Sequence, residues 1–278
     1  MTPSPIASLD VGVLPTMPRV AIRVRELVAA SNTSVADVVK ILSLDQTMAA
    51  TVLKVSNSAA FAVRGGVTSL SQAIVVMGFR TLQSVVTAAC TASLHHKASA
   101  SFKDQVLWDH SLAAGLAGSR IARECGYVKV EDAFLAGLMH DIGKLVLDFN
   151  RRESYAKVVE RVYNEDVTFL RAEREELGFD HTAVAARIAE VWKLPAELVE
   201  AVRQHHEPAA ATVDPALCAI VSLANSLCVK LCIGPERHPD LDLGQLEPAA
   251  TLAITPAQLE AIGAELPELL AKEKSLFR

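Results

Sequence analysis

Apolar residues recur every three or four positions through most of this chain, the period of a helix with one face turned inward. Val20, Val24, Leu27 and Val28 mark one such stripe within residues 17–30. Ser34 and Asp37 have the spacing of a capping box that opens a second helix through Leu42. Asp45 is placed to cap a third, striped by Met48, Val52, Leu53 and Val55. Arg64-Gly65-Gly66 breaks the chain, Ser69 starts a helix towards Met77, and Gly78 separates it from another over residues 79–94. The small, polar stretch 95–101 is the expected lobe boundary.

Beyond it the pattern stays helical. A long Ala-rich segment, 105–124, ends near Gly126, and a short apolar one covers 131–139. Two charged amphipathic helices are expected over 153–164 and 168–177. Asp180 caps a helix through Trp192; Pro195 sits in the first turn of the next, which ends at His205-His206 before Pro208. Asp214-Pro215 opens a helix to about Ile233. A link rich in Pro and acids, 234–248, leads to a last helix from Thr255-Pro256, with Leu259, Ile262, Leu266, Leu269 and Leu270 apolar. No segment has the two-residue alternation of a strand, and there is no internal repeat. The expected fold is all-α and two-lobed: an N-terminal helical lobe over 1–100, packed on a helical bundle over 101–233, then a linker and C-terminal helix over 234–278.

Composition narrows the class. With 51% apolar residues and a net charge of only -5 over 278 residues, a disordered chain is excluded. Aromatics are 5% of the residues, so the core is built from Ala, Val and Leu, which suits closely packed helices. No stretch reaches eighteen uncharged apolar residues, and no basic residue precedes an apolar core before Pro18. Neither a transmembrane helix nor a signal peptide is therefore expected. Cys90, Cys125, Cys218, Cys228 and Cys232 form no CxxC pair, and an odd, scattered set points to a reducing cytoplasm. Each reads as a small buried hydrophobe; Cys228 and Cys232 would share a helical face, but two thiols make a poor zinc site. The first hundred residues carry four more basic than acidic groups and the remainder nine more acidic than basic. This asymmetry suggests two lobes with different surfaces; with no basic run and no basic–aromatic interleaving, it is too weak a signal to make nucleic acid a partner.

The chemistry-bearing residues are His110, His140-Asp141, His181 and His205-His206. Imidazole with carboxylate is the ligand set of zinc, iron or manganese, and a helical bundle can surround one or two such ions from several helices. A bridged pair of ions would activate water and clamp a phosphoryl group. Spacing alone does not decide, because a lone helical histidine is more often a core or capping group. His95, His96 and His238 lie in polar connections and read as solvated. Adjacent helical residues point about 100° apart, so His205 and His206 reach one site only at a helix end, which Pro208 supplies.

The order of these residues resembles the HD superfamily of metal-dependent phosphohydrolases. The run from Asp180-His181 through Trp192-Lys193-Leu194-Pro195 to His205-His206-Glu207 is similar to the HD-GYP branch, which hydrolyses cyclic di-GMP at a two- or three-metal centre. The resemblance implies metal ligation by His110, His140, Asp141, His181, His205 and His206, with Lys144 facing the substrate phosphate. Three departures count against hydrolysis. Pro208-Ala209-Ala210-Ala211 stands where the Gly-Tyr-Pro signature belongs, Val106 replaces the acid one turn before the first histidine, and Asn225 replaces the aspartate that closes the first metal site. A neutral Asn carbonyl is a weaker ligand than a carboxylate.

Four segments of the first lobe resemble the HDOD domain: Leu14-Pro15-Thr16-Met17-Pro18, Ser43-Leu44-Asp45-Gln46, Val55-Ser56-Asn57-Ser58-Ala59, and Leu70-Ser71-Gln72-Ala73-Ile74 with Gly78-Phe79. Read from the residues alone, these segments are architectural, with Asn57 and Ser58 ending a helix and the glycines turning the chain. The resemblance spans residues 10–232. It implies a bacterial regulatory module that binds signalling proteins in trans or a small signal without efficient turnover. The alternative is a metal-dependent phosphohydrolase acting on a nucleotide such as a cyclic dinucleotide. One or two Fe, Mn or Zn ions are the implied cofactors; oligomeric state is left open.

Overall fold

The computed structural model describes residues 17–57, 66–98, 102–165 and 167–274. Among them every regular element is helical, as the periodicity requires. Residues 95–267 form one compact unit, and residues 17–94, with the chain's last turns from Glu268, form another.

In the unit that begins at Met17, α1 (Arg19–Ala29), α2 (Val35–Leu42) and α3 (Gln46–Ser56) precede most of α4 (Leu70–Ala98). The local signals act as expected. Ser34 and Asp37 form the reciprocal capping box of α2, and the Asp45 carboxylate accepts from Met48 N at the start of α3. Asn57 ends α3 and ties it to the following chain, donating to Leu53 O and Val67 O while accepting from Val67 N. That is the architectural role its sequence position suggests. Gly78, at φ 74° and ψ 165°, breaks α4 into two pieces. Residues 70–93 are long and apolar enough to cross a membrane by length and composition, but 61% of the most apolar window is buried inside the structure. Leu14–Thr16 and Ser58–Ala59 of the family-like segments, and Arg64-Gly65 of the expected break, lie outside the described residues.

The larger unit contains α5 (Phe102–Glu124), α6 (Val130–Met139), α7 (Ile142–Asn150), α8 (Arg152–Asn164), α9 (Phe169–Leu177), α10 (His181–Val191), α11 (Ala196–Gln204), α12 (Pro215–Lys230), α13 (Glu247–Thr251) and most of α14 (Pro256–Glu273). α5 packs most extensively on α6 and then on α12, while α10 sits against α7 and α11. The α5–α6 approach is very close: a methyl at Gly137 would lie 2.5 Å from the Ala114 carbonyl oxygen. Small residues thus let two backbones meet where larger ones would hold them apart. The final helix buries Leu259, Ile262 and Leu266, with Gly263 beside Leu227 and Leu231 at the end of α12.

Several expectations need correction. α7 has no counterpart in the sequence reading: only nine residues long, it buries Ile142 to Leu147 as one run, with Gly143 and Lys144 among them. The link 234–248 is not wholly irregular: a 3-10 turn covers Leu243–Gln245, and α13 starts at Glu247. The stretch 95–101 is helical through Ala98, and α5 starts at Phe102 rather than Gln105. Pro195 precedes α11 as its N-cap. α12 stops at Lys230, so Cys232, at φ 57° and exposed, shares no helical face with buried Cys228.

Candidate metal centre

All of the imidazole and carboxylate donors lie in the larger unit, and all but His110 sit at or just beyond helix ends. His110 is within α5. His140 is the C-cap of α6 and Asp141 the N-cap of α7, so the adjacent pair sits on a break between helices. His181 opens α10, whose N-cap Asp180 accepts from Thr182 N and Ala183 N. His205 caps the C-terminus of α11, with a 3-10 turn over Pro208–Ala210 just beyond. At a helix end the 100° divergence of neighbouring residues no longer applies, which lets both His205 and His206 face one place. Gly143 brings two of these ends together. A methyl there would lie 2.0 Å from the His181 carbonyl oxygen, so α7 can meet the start of α10 only without a side chain at this position.

The donors gather as two groups about one carboxylate. In the first, His110 Nε2 and His140 Nε2 each lie 3.4 Å from Asp141 Oδ2, and 3.3 Å from one another. In the second, His181 Nε2 is 3.3 Å and His205 Nε2 3.9 Å from Asp141 Oδ1, and His206 Nε2 is 3.2 Å from His181 Nε2. The donor atoms of His110, His140 and Asp141 lie within 4.8 Å of one another, as do those of His181, His205 and His206. Asp141 thus presents one oxygen to each group.

The far nitrogens show which protons are present. His110 Nδ1 donates to Ile233 O at 2.7 Å, His140 Nδ1 to Gly137 O at 2.6 Å, and His205 Nδ1 to Val202 O at 2.9 Å. His181 Nδ1 donates to the Glu173 carboxylate at 2.6 Å. The acceptors are carbonyls and a carboxylate, so each of these four rings carries a hydrogen on Nδ1 and turns Nε2 inward. Burial disfavours charge on three rings: it pushes His140 down to about 4, His206 to about 2, and His205 well below the usual imidazole range. His140 and His205 therefore turn Nε2 lone pairs towards Asp141. Asp141 Oδ1 and His205 Nε2 are buried with no hydrogen-bond partner. A cation satisfies all of these atoms at once, and backbone-anchored imidazoles with a shared carboxylate are the donor set of a borderline divalent metal. The residues fit the ion that the resemblance implies.

Lys144 is also buried, with Nζ 2.8 Å from Asp141 Oδ2 and 4.7 Å from the centre of the Phe169 ring. Burial opposes its charge, but Asp141, Glu236 and Glu173 together raise its pKa. Burial likewise opposes charge on Asp141, yet its pKa stays well below the usual carboxylate range, with the Lys144 ammonium at 2.8 Å among the charges that hold it there. The ammonium is therefore spent on a protein carboxylate rather than presented to an open surface. Asn225 is half-buried on α12, and neither donor group draws an imidazole, carboxylate or thiol from that helix. His238 is exposed.

Two further residues of this centre carried no chemical motif. Glu173 is fully buried; its Oε2 accepts from both the backbone N and Nδ1 of His181, and its Oε1 accepts from Tyr155. Its sequence signal is its place on the apolar stripe of α9 with Phe169 and Ala172. Glu236, which accepts from Phe169 N, gave none.

The HDOD domain model matches residues 14–208. The chain belongs to the HDOD family. This HDOD protein shares its fold with an HDOD domain protein of unknown function from Geobacter sulfurreducens, with a TM-score of 0.82 at 23% identity over 95% of this chain and 94% of that one. A Shewanella amazonensis SB2B protein described as a candidate phosphohydrolase has a TM-score of 0.70 at 22% identity, covering 95% and 92%. A candidate signal transduction protein of Marinobacter aquaeolei VT8 has a TM-score of 0.73 at 22% identity, and the match covers 95% of this chain and 58% of that one. An uncharacterized protein of Treponema pallidum (strain Nichols) is 23% identical over 216 residues, which are 76% of this chain and 41% of that longer protein.

Proposed function

We propose that this HDOD protein is a cytoplasmic bacterial regulatory module, acting through protein partners or a small signal, whose HD-type centre holds divalent metal without efficient turnover. The observation that carries this reading is the closure of the centre. His110, His140, Asp141, His181 and His205 are buried, and only His206 of the donor set is partly exposed. Lys144 is committed to Asp141, and the chain after α12 lies against His110 through Ile233. A nucleotide needs an open face on the metal and a cation for its phosphate, whereas five of the six donors are buried and Lys144 is already paired with Asp141. Val106, Asn225 and the missing Gly-Tyr-Pro signature support the same reading.

His110, His140 and Asp141 would hold one ion and Asp141, His181, His205 and His206 a second, of zinc, iron or manganese. Such an ion supplies a Lewis acid that can acidify water and neutralise phosphate charge. The chain's own groups supply orientation: four Nδ1–H anchors fix the rings, and burial excludes water. The second reading, a metal-dependent nucleotide phosphodiesterase, is favoured by the survival of every imidazole donor around Asp141.

The deciding experiment is elemental analysis of untagged protein, wild type beside His140→Ala, with hydrolysis assays on cyclic di-GMP and mononucleotides. Bound metal lost in the variant, with no hydrolysis by the metal-loaded wild type, is the expected result. Hydrolysis that His140→Ala abolishes would establish the second reading. Metal-free wild type would refute the metal centre altogether.

A further inference from the structure

We propose that Glu173 is the positioning residue of the second donor group, holding the His181 ring in place and setting how tightly that group binds a divalent metal. The inference rests on the metal reading above. His110, His140 and His205 each anchor Nδ1 on a neutral backbone carbonyl. His181 alone is anchored on a carboxylate, at 2.6 Å, and the same Oε2 takes its backbone N–H at 2.8 Å. The ring and the first turn of α10 are therefore fixed by one atom of α9.

Burying this carboxylate is expensive. Glu173 is 0% exposed, and its Oε2 meets the Nδ1–H of the His181 ring rather than a Lys or Arg. A neutral residue would fill the position at lower cost if packing were its only role. Tyr155 of α8 donates its hydroxyl to Oε1 at 3.0 Å, so Glu173 itself is held from the side opposite His181. A negative acceptor on Nδ1–H increases electron density at Nε2, the nitrogen turned towards Asp141 and His206, and makes it a stronger ligand. Glu173 also balances charge: Asp141 and Glu173 place two buried carboxylates against the single buried ammonium of Lys144, which leaves the centre favourable to a cation.

The test titrates metal-free full-length protein with zinc against a chromophoric chelator, comparing wild type, Glu173→Gln and Tyr155→Phe. The Gln side chain keeps the size and, with its one oxygen turned to His181, both contacts to that residue, but it loses the charge and presents an amide donor to the Tyr155 hydroxyl. It is expected to weaken zinc at the second group by roughly 10–100-fold, with the melting temperature of the metal-free protein little changed. The visible absorption of the cobalt-loaded protein should shift in the same variant, a change that a packing role alone would not produce. Tyr155→Phe removes only the hydroxyl behind Oε1 and should weaken zinc several-fold. If wild type binds zinc and Glu173→Gln binds it equally well, Glu173 is not a positioning residue and the metal reading survives. If Glu173→Gln does not fold, wild-type affinity in Tyr155→Phe overturns the proposal by itself. Wild type that binds no zinc, manganese or iron removes both.

Discussion

Gly143→Ala is the most direct test of how the centre is assembled. The added methyl would lie 2.0 Å from the His181 carbonyl oxygen, 2.8 Å from its carbonyl carbon and 3.0 Å from its Cα. Real Cβ contacts essentially never fall below 3.0 Å, so α7 and α10 must separate by about 1 Å, the difference between 3.0 and 2.0. No rotamer relieves a clash between a Cβ and a backbone, which puts the cost at the upper end of overpacking, about 3 kcal/mol. The better helix propensity of Ala offsets at most about 1 kcal/mol, leaving a net loss of about 2 kcal/mol. For a unit of this size that is a fall of about 4–8 °C in melting temperature. The same separation moves His181 Nε2 from its 3.3 Å approach to Asp141 Oδ1, so zinc affinity should fall with stability. Gly263→Ala is the matched control: its nearest neighbour is the flexible Leu227 Cδ1 at 3.4 Å, and the change should be neutral or stabilising by up to about 1 kcal/mol. Urea denaturation of the metal-free proteins measures both changes. A Gly143→Ala protein as stable as wild type, with unchanged zinc affinity, would refute the argument that backbone contact sets this geometry.

Metal-free protein should lose stability as pH falls from about 6.5 towards 4. Unfolded imidazoles take up protons near 6.5, whereas burial holds His140 near 4. Acid therefore favours the unfolded chain by about 3 kcal/mol through His140 alone, with His205 and His206 shifted the same way. A urea midpoint that stays flat between pH 7.5 and 5 would contradict this. Asp141→Asn leaves Lys144 buried without its carboxylate and should cost about 3–5 kcal/mol. Adding Lys144→Met should recover part of that loss, and a double variant no better than the single would break the account. Asp180→Ala removes the acceptor for Thr182 N and Ala183 N at the start of α10. It should cost about 1–2 kcal/mol by calorimetry; no change would mean that the cap is not needed to hold His181.

Much of this molecule is determined over short stretches of chain and is therefore written in its sequence. Ser34, Asp45, Asp180 and Asp214 cap helices through side chains that reach only two or three residues ahead. Gly78 breaks α4, and the residues beyond His205-His206 leave α11, for equally local reasons. The order of the histidines around Asp141 identifies the donor set for the same reason, since it is a property of the chain.

The rest required the folded unit. α7 buries its first six residues, Lys144 among them, and is too short to show a helical period in the sequence. Glu173 looks like one more acid of a charged helix until α8 and α10 close around it and bring Tyr155 and His181 to its two oxygens. Lys144 resembles a phosphate contact in sequence order, whereas packing turns it onto Asp141. Which nitrogen of each ring carries its proton depends on carbonyls as distant as Ile233, 123 residues from His110. Local spacing selects the donors; only long-range packing, by fixing their partners and excluding water, decides what they can hold.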